Sequence, residues 1–197
     1  MWYGERDLQK ASLRSFLLHL GLVVIFGVVL PQRKGSAFLE PAMMAAYACM
    51  GVIFAAPAAS ARFAAGRPQS LNEAFVKAAR AAGYAESLAL LMLAAGIGTV
   101  ILTRRGPLFL PQIDTLAGSL LLGITATLTM ALFTGWLVLR FSPVAAQIGT
   151  RLVLVLLLLG FFLNSQKLPE LSLPGAVFCL GASALLAYLL RREVNPR

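Results

Sequence analysis

Long runs of apolar residues, separated by short polar intervals, constrain this chain more than any other feature. They cover approximately residues 15–31, 41–60, 84–103, 115–139, 144–163 and 176–190. An α-helix needs roughly 20 apolar residues to cross the ~30 Å hydrocarbon core of a bilayer. Because a helix satisfies its backbone hydrogen bonds internally, runs of this length predict membrane-crossing helices. We therefore expect an all-α, polytopic integral membrane protein with about six transmembrane helices, forming a single membrane domain over residues 1–197.

The composition supports a lipid environment. The chain is 59% hydrophobic and only 13% charged, whereas soluble domains usually carry about a quarter charged residues. The net charge of +9 would suggest nucleic acid in a soluble protein. In a membrane protein, basic residues flank the spans and meet anionic lipid instead. We expect the lipid bilayer as a partner and no nucleic acid.

Lysine and arginine divide unevenly between the two sides of such a protein. Twelve of the basic residues would lie on the side of both termini, and five on the other. The positive-inside rule then places both termini in the cytoplasm of a multi-pass cytoplasmic (inner) membrane protein. The fifth run, residues 144–163, carries the main uncertainty of this topology. If it were re-entrant, the number of crossings would fall and the C-terminus would lie outside.

Two polar segments suggest elements outside the spans. Residues 1–14 contain Trp2 and Tyr3 and are interpreted as an interfacial segment or a solvated tail. Residues 70–82 predict a cytoplasmic amphipathic helix between the second and third spans. Ser70 and Glu73 have the spacing of a capping box, and Glu73 and Lys77 have the favourable i, i+4 order. This helix either docks a partner, with Leu71, Asn72, Glu73 and Phe75 as candidate contacts, or only touches lipid.

Ionisable residues in or near the spans are functional candidates, because charge is costly to bury in lipid. The candidate intramembrane polar residues are His19, Glu86 and Arg151, with Glu40 at an outer edge. Glu86 and Arg151 are expected at similar depth, so a pair between the third and fifth spans is conceivable. The alternatives are a neutral His19 bonded across helices, a Glu86 that stays at the interface, and an Arg151 that snorkels to it.

Motifs for catalysis or cofactor binding are missing from the sequence. It contains no His-Glu-x-x-His, no Cys-x-x-Cys, no Gly-x-Ser-x-Gly and no Gly-x-x-x-x-Gly-Lys-Ser/Thr. His19 and Ser119 could be nominated for an intramembrane protease, but no local motif supports them. We expect no metal, no cofactor and no enzymatic activity in this chain. If it uses ATP, a partner must bind the nucleotide.

The layout resembles the permease subunits of ABC-type exporters of the second family. The resemblance rests on residues 1–14, on SLNEAFVKAARAAGY between the second and third spans, and on LRFSPVAAQIGTRLVLVLLLLGFFL. In that family, an interfacial helix precedes the first span, a coupling helix docks on a cytoplasmic ATP-binding subunit, and a Ser-Pro linker leads to an aliphatic fifth span. The family usually has longer chains, with short re-entrant helices before the sixth span. Here that interval is only NSQKLPELSLPG.

Three hypotheses for function follow from the sequence. The resemblance implies a permease subunit that works as a homo- or hetero-oligomer with an ATP-binding subunit. Short loops and a Gly-rich fourth span also suit a structural or assembly subunit of a larger membrane complex. A small intramembrane enzyme or a secondary carrier would need His19 or Glu86 for its activity.

Overall fold

A computed structural model describes residues 17, 50–103, 113–141, 143–163 and 167–194. These residues form five α-helices and no strand, which confirms the all-α prediction for this part of the chain. We label the helices α1 (Gly51–Ala64), α2 (Leu71–Thr103), α3 (Ile113–Arg140), α4 (Pro143–Leu163) and α5 (Leu168–Val194). The predicted N-terminal segment 1–14 and the first span 15–31, apart from residue 17, lie outside the described residues.

The helices alternate in direction, so that α1, α3 and α5 end where α2 and α4 begin. The contacts between α3 and α5 establish that these two run parallel. Ser172 Oγ lies against Gly118, Thr129 Oγ1 lies 2.9 Å from Ser183 Oγ, and Arg140 Nη1 lies 3.5 Å from Glu193 Oε1. These three contacts lie near the start, the middle and the end of each helix. The parallel arrangement requires α4 to carry the chain from one end of the bundle to the other. α4 therefore does not return to the end from which it starts, as a re-entrant segment would.

The core is built mainly from small side chains on α1 and α2. Alanines recur at helical spacing on the buried face of α2, namely Ala74, Ala78, Ala81, Ala82, Ala85 and Ala89. They pack against a similar face of α1 that contains Ala55, Ala56 and Ala59. Small residues let helix backbones approach closely, which favours dispersion contacts where water cannot drive association. This packing fixes α2 against α1 over most of the length of α1.

The predicted amphipathic helix continues directly into the third apolar run. Residues 71–82 form the first turns of α2, which continues without interruption for 33 residues. At about 1.5 Å per residue it is roughly 50 Å long, well above the ~30 Å hydrocarbon thickness. The polar interval contains no helix breaker after Pro68, because Gly83 is tolerated inside a helix. The first turns of α2 therefore extend the third apolar run instead of forming a helix of their own.

The sixth helix predicted from the sequence begins earlier than expected. The interval NSQKLPELSLPG, residues 164–175, is expected to be a loop, yet α5 begins at Leu168. Proline is accepted in the first turn, where the amide hydrogen would have no partner, and Glu170 favours the same turn by its charge. Pro174 lies farther inside the helix, where it removes one backbone hydrogen bond. Only four residues therefore separate the end of α4 at Leu163 from the start of α5 at Leu168.

Two of the described helices are long and apolar enough to cross a membrane, namely Ala117–Arg140 and Glu170–Val194. The exposed surfaces of α4 and α5 are themselves strongly apolar. Leu156 on α4 is 67% exposed, and Phe178 on α5 is 77% exposed. A soluble protein rarely exposes large contiguous apolar patches. Contact with lipid or with another apolar helix would remove these side chains from water.

One end of the bundle is strongly basic. The ends of α1, α3 and α5 meet the starts of α2 and α4 there, through the contacts of Arg67 and Arg140 with Glu193. Eight basic and two acidic residues of the described chain belong to this end: Arg62, Arg67, Lys77, Arg80, Arg140, Arg151, Arg191, Arg192, Glu73 and Glu193. The opposite end carries Asp114, Lys167 and Glu170. We call the first of these the basic end.

Candidate functional site

The start of α2 is fixed by hydrogen bonds at the basic end. Ser70 Oγ accepts a hydrogen bond from the Glu73 amide at 3.1 Å, as the capping box requires. The Glu73 carboxylate accepts one from the Gln69 amide at 2.9 Å, one residue earlier than in the standard motif. Glu73 also pairs with Lys77 at 3.2 Å. The Gln69 amide and then the Lys77 ammonium hold the pKa of Glu73 below its usual value.

The loop before α2 is held to its surroundings as well. Lys77 donates a hydrogen bond to the Gly66 carbonyl at 2.6 Å, and Arg67 donates one to the Glu193 carbonyl at 3.1 Å. Pro68 between them is buried. The start of α2 thus has a defined position relative to the ends of α1 and α5.

The four candidate docking residues differ in their surroundings. Leu71 packs against the core, and Glu73 is occupied by its contacts with Gln69 and Lys77. Asn72 and Phe75 are exposed, and Phe75 is 43% accessible. Val76, which the sequence analysis did not single out, is exposed beside Phe75. The surface available to a partner is therefore Asn72, Phe75 and Val76, which we call the docking surface.

Glu86 lies inside the bundle, at the meeting point of α1, α2 and α3. Its side chain is 8% exposed, and its Oε2 lies 2.9 Å from Thr127 Oγ1 on α3. The other carboxyl oxygen, Oε1, is buried and has no hydrogen-bond partner among the described residues. Gly51 on α1 leaves the space for this contact, because a Cβ at that position would overlap both Glu86 Oε2 and Thr127 Oγ1.

The contact with Thr127 gives the depth of Glu86. Thr127 lies ten residues after Ala117 and thirteen before Arg140, which are the ends of a candidate span. At about 1.5 Å per residue these separations are roughly 15 and 20 Å. The sequence alone left open whether Glu86 stays at the interface. In the structure Glu86, on α2, lies level with the middle of α3, far from both ends of that helix.

The conceivable pair between Glu86 and Arg151 is not formed. Thr127 is the hydrogen-bond partner of Glu86, while Arg151 on α4 is exposed. Within the described part of the chain, the ion pairs are Lys77–Glu73 and Arg140–Glu193. His19 and Glu40 lie outside the described residues, so the structure adds nothing to their interpretation.

Two residues of the buried site were not found from the sequence. Gly51 and Thr127 have no local signal, since glycine and threonine are frequent throughout these helices. Thr127 is 41 positions from Glu86 in the chain and meets it only in the folded protein. A buried carboxyl group with hydroxyl and glycine neighbours can bind a proton or polarise a bound group.

Comparisons with known proteins assign no family to this arrangement. The chain matches no protein-family model, no curated protein and no solved structure.

Proposed function

We propose that this chain is the membrane-embedded permease subunit of an ATP-driven exporter. In this proposal it crosses the inner membrane six times, with both termini in the cytoplasm. A separate ATP-binding subunit docks at the docking surface of Asn72, Phe75 and Val76. The observation that carries the proposal is the start of α2, which presents apolar side chains at the basic end on a backbone held by several hydrogen bonds.

A docking surface at this place is mechanically suited to transmit movement. Phe75 and Glu86 belong to one uninterrupted helix, eleven residues apart, or about 16 Å along the axis. A subunit that pushes on the start of α2 would therefore move Glu86 relative to Gly51 and Thr127. Rigid-body displacement of a packed helix is a common way to couple distant sites.

The basic end is also the side on which such a subunit would be found. Its eight basic and two acidic residues favour the cytoplasmic face by the positive-inside rule. The connection between α4 and α5, residues 164–167, is shorter than in the permeases that the chain resembles. We propose a reduced permease, in which the outer ends of the helices close the path without additional re-entrant helices.

The proposal is tested by purifying the tagged chain from native membranes in mild detergent and measuring ATP hydrolysis in the eluate. We expect wild-type chain to bring ATPase activity with it. The double variant Phe75→Ala, Val76→Ala removes apolar contact area at the docking surface. We expect it to lower the recovered activity by about tenfold or more, which corresponds to about 1.4 kcal/mol of binding energy.

The matched control is Phe178→Ala, which truncates a more exposed aromatic side chain in the middle of α5, 77% accessible against 43% for Phe75. It should leave the recovered ATPase activity unchanged. If the double variant and the control both retain full activity, the docking surface is wrong. If wild-type chain carries no ATPase activity at all, the permease proposal itself fails.

A structural or assembly subunit of a larger membrane complex is the second candidate. The exposed apolar faces of α4 and α5, which include Leu156 and Phe178, favour it because further helices could pack there. A stable complex that contains neither an ATPase nor nucleotide-stimulated transport would select this function. Loss of activity in variants of His19 or Glu86, without an ATPase, would instead select an intramembrane enzyme or a secondary carrier.

A further inference from the structure

Glu86 occupies a position where an ionised carboxylate has little to stabilise it. One of its oxygens has a hydroxyl partner, Thr127 Oγ1 at 2.9 Å, and the other has none among the described residues. A buried charge normally has a counter-ion or several hydrogen bonds, because removing it from water is costly. Glu86 has neither in the described structure, so its charge state is the feature to explain.

The charged groups of the neighbouring helices do not reach this position. On α1, the described charge is Arg62, which lies over the Tyr84 ring and donates to the Ala58 carbonyl. On α3, Asp114 and Arg140 each lie thirteen residues from Thr127, about 20 Å along the axis.

The remaining charges to consider are on α4, on α5 and on α2 itself. On α4, Arg151 is exposed and forms no ion pair with Glu86. The charged residues of α5 lie in its first and last turns, at Glu170 and at residues 191–193. On α2, the nearest charge is Arg80, which is exposed, and the nearest titratable group is Tyr84. No described basic side chain is thus available to neutralise Glu86.

We propose that Glu86 is a proton-binding site, occupied in the folded protein so that the side chain is a neutral carboxylic acid. A threonine hydroxyl can accept as well as donate. In the structure Thr127 Oγ1 donates to Oε2, and the same 2.9 Å separation also suits an Oε2–H that donates to Thr127 Oγ1. Oε1 is then a carbonyl-type oxygen, whose burial without a partner costs much less than that of a charge.

Gly51 makes the same site a point of contact between three helices. Because its missing side chain admits both Glu86 and Thr127, the carboxyl group fills the space between α1, α2 and α3. Release of the proton would create a charge that requires water. Loss of the proton from Glu86 would therefore favour separation of α1, α2 and α3. By thermodynamic reciprocity, separation of these helices would favour loss of the proton. This linkage does not depend on an ATP-binding partner.

The test is infrared spectroscopy of the purified full-length chain in D2O at neutral pH, with Glu86→Gln as the reference variant. The expected difference spectrum contains the carbonyl stretch of a protonated carboxylic acid in the wild type and lacks it in E86Q. Carboxylate bands in its place would overturn the proposal. Since Gln has the same shape without a charge, we also expect E86Q to melt within about 2 °C of the wild type.

A second variant keeps the proposal testable if E86Q does not fold. Thr127→Val removes the hydroxyl while preserving the shape of the side chain. We expect the carboxylic acid band to persist in T127V and to shift in frequency, because its hydrogen bond is lost. A T127V spectrum that lacks the band would refute the protonated site, and so would a band that stays at the wild-type frequency.

Discussion

Gly135 on α3 provides the sharpest test of the packing between α1 and α3. It is buried, and a Cβ at this position would lie 2.5 Å from Cζ and 2.6 Å from Cε2 of Phe63. Phe63 on α1 is itself fully surrounded, with 2% of its side chain exposed. The ring therefore has no free space into which it could rotate, and Gly135→Ala must displace α1 or distort the Phe63 rotamer.

The expected magnitude follows from two opposing effects. Inserting a methylene-sized group into a packed core typically costs about 1–3 kcal/mol. Replacing glycine by alanine inside a helix stabilises it by about 1 kcal/mol. The substitution Gly181→Ala on α5 has only the stabilising effect on the helix, because a Cβ at that position meets nothing within 4 Å. Gly135→Ala should thus be less stable than Gly181→Ala by about 1–3 kcal/mol.

The assay is thermal unfolding of both purified variants in the same detergent. For a chain of this length, 1 kcal/mol corresponds to about 2–4 °C, so the two melting temperatures should differ by about 2–12 °C. Gly181→Ala should melt at or slightly above the wild-type temperature. A Gly135→Ala variant that is as stable as Gly181→Ala would show that Phe63 does not fill the space beside α3.

Two further predictions concern polar contacts at the helix surfaces. A double-mutant cycle with Thr129→Val and Ser183→Ala should give a coupling of about 0.6 kcal/mol in thermal unfolding, the average for hydrogen bonds between membrane helices; zero coupling would exclude their 2.9 Å contact. Glu73→Gln should increase hydrogen exchange over residues 66–76, because the contacts with Gln69 and Lys77 weaken. Since the pKa of Glu73 is lowered in the folded protein, its contribution is present above the pKa of the unfolded chain and is lost as the pH falls through the lowered folded-state pKa. The difference between wild type and E73Q should vanish below the folded-state pKa, and a difference that persists there would contradict this.

Local patterns predicted several helix boundaries from the sequence. The start of α2 at Leu71 follows from Ser70 and Glu73, which act within one turn and need no tertiary contact. The bounds of α3 and α4 lie within two residues of the apolar runs that predicted them. Apolar length and a capping motif are properties of short segments, so they can be recognised without knowledge of the fold.

Tertiary relationships could not be predicted in the same way. The depth of Glu86 depends on how far α2 is displaced along α3, and Thr127 gives no indication of that in the sequence. The early start of α5 was missed because prolines usually indicate a loop, whereas Pro169 falls in a first turn that tolerates it. The packing of Leu71 into the core instead of toward a partner likewise depends on the position of α1.

The parallel contact between α3 and α5 has a consequence for how the chain is assembled. Thr129 and Ser183 are separated by 54 residues. The ribosome must therefore synthesise all of α4 after Thr129 and before Ser183. At synthesis rates of about 5–20 residues per second, α3 exists for about 3–11 s before the matching part of α5 leaves the ribosome. Of the contacts that the Thr129 hydroxyl makes in the folded protein, only the one to the Thr125 carbonyl of its own helix can form during this time. The arrival of α5 is therefore the event that closes the bundle, and a nascent chain arrested before Leu168 would leave this face of α3 open to other helices in the membrane.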